Sequence, residues 1–142
     1  MPSCTNRMLR WARRNSIWVL HYNSGGCNGC DIEILDLLTP RYDIERLGIV
    51  KESSPRHADV LLCTGPVTLR SRDPLLRIYE QIPEPKWVVA VGACAASGGI
   101  FAESYHSLGG VDKVLPVTAY VPGCPCRPEA ILNAIMTLRT LI

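Results

Sequence analysis

The chain has 142 residues, 47% apolar and 20% charged, which fits one compact domain and disfavours disorder, collagen-like repeats and coiled coil. Its net charge of +2 is uneven: residues 1–30 carry Arg7, Arg10, Arg13 and Arg14 with no acid, and the remainder is slightly acidic. Seven cysteines are an odd number, and the apolar run Ile17–Leu20 is too short for a signal peptide, so a disulfide-stapled secreted module is disfavoured.

Residues 1–16 form a basic leader with Met8, Leu9 and Trp11 among the arginines. Such a segment suits an anionic membrane surface, a partner, or a solvated and partly disordered tail. Ile17–Tyr22 reads as a buried strand that ends at the turn Ser24-Gly25-Gly26. The spacing of Cys27, Cys30, Ile34 and Leu37/Leu38 predicts a helix, closed by Pro40, with both cysteines at its N-terminal end. Tyr42–Val50 and Ala58–Leu62 are predicted strands, and Asp73–Gln81 a short helix. Trp87–Val91 is almost wholly apolar, as expected of a central parallel strand, and runs into a glycine-rich loop from Gly92-Ala93-Cys94. Val114–Val121 reads as the last strand, followed by a turn holding Cys124 and Cys126 and by a helix that opens at Pro128.

Strands alternating with helices over residues 17–142 imply one α/β domain, an open and mostly parallel flavodoxin-like sheet. In such sheets ligands gather outside the carboxyl ends of strands. Cys27 with Cys30, Cys94 and Cys124 each follow a strand end, so three loops bring four thiols to one edge. Four thiolates hold either a tetrahedral zinc or a [4Fe–4S] cluster. One C-x-x-C joined by single cysteines 64 and 94 residues beyond Cys30 suits a cubane on scattered loops better than paired zinc knuckles. A thioredoxin-like redox pair leaves Cys94 and Cys124 unused. No phosphate-binding loop, dinucleotide fingerprint or hydrolytic triad is present, the basic residues are too few and too lacking in aromatic neighbours for nucleic acid, and no apolar stretch is long enough to span a bilayer.

Four segments carry a resemblance: Gly26-Cys27-Asn28-Gly29-Cys30-Asp31-Ile32-Glu33, Ala58-Asp59-Val60 through Thr68, Val91 through Gly99, and Val121-Pro122-Gly123-Cys124-Pro125 with Arg127-Pro128-Glu129. Over roughly residues 17–142 they resemble the complex I 20 kDa subunit family, which includes small subunits of membrane-bound, energy-converting [NiFe] hydrogenases. The resemblance implies that Cys27, Cys30, Cys94 and Cys124 ligate a single [4Fe–4S] cluster. The spacing C-x-G-C at Cys27–Cys30 is similar to the hydrogenase-type branch, where the respiratory subunit has adjacent cysteines. The resemblance therefore implies an electron-transfer subunit between a ferredoxin-like iron–sulfur subunit and a nickel–iron large subunit. Its complex is anchored by integral membrane subunits, with this chain peripheral at the cytoplasmic face. The alternatives are a complex I-like relay to quinone or a sulfur compound, and a zinc-stabilised interaction module.

Cys126 departs from the family, which usually has proline there, and competes with Cys124 as ligand. Cys63, ending an apolar strand, is expected to be a buried small hydrophobe, and Cys4 a free thiol. Asp31 and Glu33 suit a helix start electrostatically, and the resemblance gives Glu33 a further role at the large-subunit contact near a proton path. Arg127 and Glu129 are expected to fix their turn by pairing, the alternative being a contact with the partner. His21, His57 and His106 are not needed as ligands.

Overall fold

The computed structural model describes residues 4–141, and the side chains from residue 7. The expectation for the Cys4 thiol lies outside the described side chains. Five parallel strands, β1 (Ile17–Asn23), β2 (Ile49–Glu52), β3 (Val60–Thr64), β5 (Trp87–Val91) and β7 (Ala119–Val121), form one sheet in the order β2-β1-β3-β5-β7. This is the flavodoxin-like order, with its switch point between β1 and β3. A two-stranded antiparallel sheet pairs β4 (Val67–Thr68) with β6 (Ser107–Gly109).

The period-2 alternation of each strand divides its side chains between two cores. Ile17, Val19, Val60, Leu62, Val89 and Val91 face α2 (Gly29–Asp36) and α5 (Pro128–Leu141), packing on Ile34, Ile131, Ile135 and Leu138. Leu20, Leu61, Cys63, Val88 and Ala90 face the other way, towards Leu75 of α3 (Leu69–Gln81) and Ala95 of α4 (Ala93–Ser97). Every residue of β3 is buried, as a central strand covered on both faces requires.

Several expected boundaries move. Tyr42–Val50 is not one strand: a 3₁₀ turn at Ile44–Leu47, bracketed by left-handed Asp43 and Gly48, delays β2 to Ile49. Helix α3 begins four residues before the expected Asp73, because Thr68 and Ser71 form a reciprocal capping box that starts it ahead of Pro74. Of Val114–Val121 only Ala119–Val121 pairs with the sheet, after a 3₁₀ turn at Val111–Lys113 and Pro116. The glycine-rich loop after β5 contains the short helix α4. The leader is helical as α1 (Cys4–Asn15), not an unstructured tail. Met8 and Trp11 are each 69% exposed, and Arg139 of α5 donates to Asn15 Oδ1 at 3.0 Å.

Candidate metal centre

The loops after β1, β3, β5 and β7 meet beyond the carboxyl edge of the sheet. Ser24, fully buried, anchors the first to the second: its Oγ donates to the carbonyl oxygens of Thr64 at 2.8 Å and Gly65 at 3.0 Å. Asn23 Oδ1 accepts from the backbone N–H groups of Gly25 and Gly26 at 2.8 and 2.7 Å, which curls the chain towards Cys27. The two loops touch at backbone level. Gly65 has φ +76°, and a Cβ there would lie 2.2 Å from the Gly26 nitrogen. Past β5 and β7 the ladder continues, Gly92 N donating to Val121 O and Ala93 N to Gly123 O, both at 2.8 Å. These bonds hold the segments that carry Cys94 and Cys124 side by side.

The result is a hollow lined by Cys27, Cys30, Cys94 and Cys124, with Thr64, Gly65 and Pro125 among its walls. All four thiols expected from the sequence are brought together. Cys27 and Cys124 are exposed, and Cys30 and Cys94 half-buried. Burial raises the Cys94 thiol above its ordinary pKa, and the neighbouring Cys124, Cys27 and Cys30 raise it further, since four thiolates repel one another. The first turn of α2 holds Cys30 and directs its positive end at the same place.

The donor set, four thiols with the Asp31 carboxylate in the wall engaged by Thr64 and Asn23, fits iron–sulfur or zinc chemistry. The hollow has a volume of about 70 Å³, several times what one water requires. Among the described residues no three His, Cys, Asp or Glu side chains close on a single point as they would around one ion. The thiols ring a space. Gly92 completes the cradle: it has φ +90°, and a Cβ there would sit 2.5 Å from Cys30 Sγ.

Cys63 and Cys126 are outside the hollow, both buried, and burial pushes each thiol up to about 12. Cys126 belongs to the apolar cluster against which Cys30 packs, and the nearby charges of Cys30 and Glu33 raise its thiol further. Glu33 is half-buried on the second turn of α2.

Asp31 is placed differently from a simple dipole partner. Its Oδ1 lies 2.9 Å from His21 Nε2 and accepts from Thr64 Oγ1, while Oδ2 accepts from Asn23 Nδ2. Asp31 and Thr64 of this network line the hollow, and His21 and Asn23 support them from behind. Sequence reasoning missed His21 and Thr64 because their partner is many residues away, and no local pattern links them. Arg127 and Glu129 do not pair: among the described residues Glu129 instead accepts from Tyr42 Oη at 2.6 Å. That bond lowers the Glu129 pKa and raises that of Tyr42.

A family model described as NADH ubiquinone oxidoreductase, 20 Kd subunit, matches residues 27–138. An uncharacterized protein of Methanocaldococcus jannaschii, MJ0516, is 62% identical over 87% of this chain and 83% of its own length. The probable membrane-bound hydrogenase subunit mbhJ of Pyrococcus furiosus is 55% identical over 85% of this chain and 72% of its own length. The chloroplastic NAD(P)H-quinone oxidoreductase subunit K of Aethionema grandiflorum is 48% identical over 96% of this chain, which spans only 59% of that protein. Among solved structures, a chain of the membrane-bound sulfane sulfur reductase, an archaeal respiratory membrane complex, superposes with a TM-score of 0.83. It is 40% identical and covers 94% of this chain and 74% of its own length.

Proposed function

The chain belongs to the NADH ubiquinone oxidoreductase 20 kDa subunit family, and from that premise we propose that it is the electron-transfer small subunit of a membrane-associated [NiFe] hydrogenase-type complex. The observation that carries this reading is the ring of four thiols from three separate loops around one hollow. Cys27, Cys30, Cys94 and Cys124 would hold a [4Fe–4S] cluster there, and such a cluster accepts and releases single electrons. The chain's own part is to keep the thiols in register through the Gly92–Val121 and Ala93–Gly123 bonds, to repel water with the sheet beneath, and to tune the site with the α2 dipole.

The C-x-G-C spacing and the 55% identity to the Pyrococcus furiosus hydrogenase subunit favour protons as the terminal acceptor, reduced in a large partner subunit. The exposed Ile32 and Leu35 of α2, which opens at the Cys30 end, and the exposed Ile100 and Phe101, six and seven residues after Cys94, suit that partner's contact, with Glu33 beside it on a proton path. A ferredoxin-like iron–sulfur subunit is the electron donor in this reading. Helix α1 sets Trp11 on the same face as Arg7, Arg10 and Arg14, with exposed Met8 and Leu9 beside it, a mixture of cations and apolar side chains suited to the anionic cytoplasmic face of the membrane carrying the integral subunits. No helix among the described residues is long and apolar enough to cross it.

A second reading, a complex I-like relay to quinone or a sulfur compound, draws support from the 40% identity to a sulfane sulfur reductase chain. Anaerobic purification with native partners tests both. The expected result is about four irons and four sulfides more than in the same complex carrying Cys94→Ala, with hydrogen evolution from a reduced low-potential donor. No difference in iron and sulfide between the two, with one zinc lost instead, would sink the relay, and a complex that reduces polysulfide or quinone but not protons would establish the second reading.

A further inference from the structure

Away from the thiols, a cleft of about 590 Å³ opens between α1 and the last turn of α5, lined by Arg7, Arg10, Trp11 and Arg14 on one side and by Arg139 and Leu141 on the other. Positions 7, 10, 11 and 14 share one face of the helix, so three guanidiniums crowd the same wall. Arg139 is fixed across the gap: its Nη2 donates to Asn15 Oδ1 at 3.0 Å and its Nη1 to the Leu47 carbonyl oxygen at 3.5 Å, both neutral acceptors. Among the described residues no carboxylate forms an ion pair with any of the four, and residues 1–30 contain no acid at all. Like charges at such spacings destabilise a helix, and α1, with Met8 and Trp11 each 69% exposed, has little packing to offset them.

Resting on the membrane reading of α1 given above and deepening it, we propose that this cleft is a binding site for the phosphate headgroup of an acidic phospholipid. Arginine's planar fork matches two phosphate oxygens at once, and guanidiniums from both walls clasp the group between the helices. An apolar rim selects a lipid over a free phosphate: Trp11 and Leu141, 69% and 66% exposed, stand among the arginines. Such side chains gain by entering the boundary between headgroups and acyl chains, which a soluble anion does not provide. Because Arg139 belongs to α5, a bound headgroup also fastens α1 to the domain.

The test is co-sedimentation of the full chain, purified anaerobically, with vesicles of phosphatidylcholine alone or of phosphatidylcholine and phosphatidylglycerol in a two-to-one mixture. The parent is expected to bind the mixed vesicles and not phosphatidylcholine alone. Arg10→Gln and Arg139→Gln are each expected to bind about fivefold more weakly, the share of one cation at an anionic surface. Arg139→Lys, which keeps the charge but not the fork held by Asn15 and Leu47, is expected to stay within about twofold of the parent. Arg77→Gln, on the exposed side of α3 behind the opposite face of the sheet, is expected to match the parent. Parent binding that Arg139→Gln leaves unchanged, a loss in Arg139→Lys equal to that in Arg139→Gln, or a loss of that size in Arg77→Gln would each overturn the cleft while leaving α1 on the membrane. A parent with no preference for the mixed vesicles would overturn the membrane reading as well. Equilibrium dialysis against millimolar inorganic phosphate is expected to show no saturable binding; one phosphate per parent chain, lost in Arg139→Gln, would give the cleft to a soluble anion and overturn the lipid.

Discussion

Replacing Gly92 by alanine tests the cradle at its tightest point. The residue has φ +90° and ψ 161°, a region occupied essentially by glycine alone, and forcing a side chain into it costs about 1–3 kcal/mol. The new methyl would stand 2.5 Å from Cys30 Sγ and 3.5 Å from the Gly123 carbonyl oxygen, so the thiol must move, adding about 1–3 kcal/mol of overpacking. The sum, about 2–6 kcal/mol, is a large part of the stability of a domain this size. Gly29→Ala is the control, because its Cβ would meet Cys27 Sγ and Pro125 Cβ at 3.6 Å, an ordinary contact, at the first residue of α2. Urea denaturation and iron content of both variants are the assay. Gly92→Ala is expected to lose iron and shift its midpoint, and Gly29→Ala to stay within about 1 kcal/mol of the parent. Full iron and an unchanged midpoint in Gly92→Ala would refute the reasoning.

Cys94→Ala is expected to lose the cluster, while Cys63→Ala keeps it at a cost of about 1 kcal/mol for the cavity in the core; retained iron in Cys94→Ala would remove that thiol from the ligand set. In metal-free protein at pH 8, iodoacetamide followed by mass spectrometry is expected to label Cys27 and Cys124 first. It should spare Cys63 and Cys126, whose thiols near 12 leave roughly one molecule in ten thousand as thiolate. Asp31→Ala strands His21, Thr64 and Asn23, and an expected loss of about 2–4 kcal/mol is read by chemical denaturation; a shift under about 0.5 kcal/mol would show the network to be incidental. Burial raises the Asp59 carboxyl above 3.8, partly offset by its bond from the Trp18 N–H at 3.1 Å. The folded state therefore holds that proton more tightly, and the parent loses stability as pH rises through the folded pKa. Asp59→Asn should gain on the parent across that window, and a parent that gained on the variant would contradict the sign.

What could be read from the chain was what local pattern controls. Val60–Thr64 and Trp87–Val91 announce themselves because strands buried on both faces have no polar positions to break the run. The four thiols were legible because each stands just past a strand end, and topology carries strand ends to one edge. The Asp31 network was not, since Asp31 and Thr64 are 33 residues apart and meet only when β1 and β3 align. Pro74 hid the start of α3, as proline suggests a first turn, whereas the capping hydroxyls of Thr68 and Ser71 overrode it. The pair β4–β6 is two and three residues long and leaves no periodicity to find.

The sheet's strand order also dictates a schedule. β7 joins only through β5, by Val89–Ala119, Ala90–Tyr120 and Val91–Val121, and the turn that follows it carries the fourth thiol, Cys124. A growing chain that has emerged as far as Val117 already displays Cys27, Cys30 and Cys94 but has no wall on the far side. Closure of the ring therefore requires the C-terminal strand to be paired. Under the proposed ligand set, a truncated or misregistered chain would offer iron three thiols, and only a finished sheet would offer four.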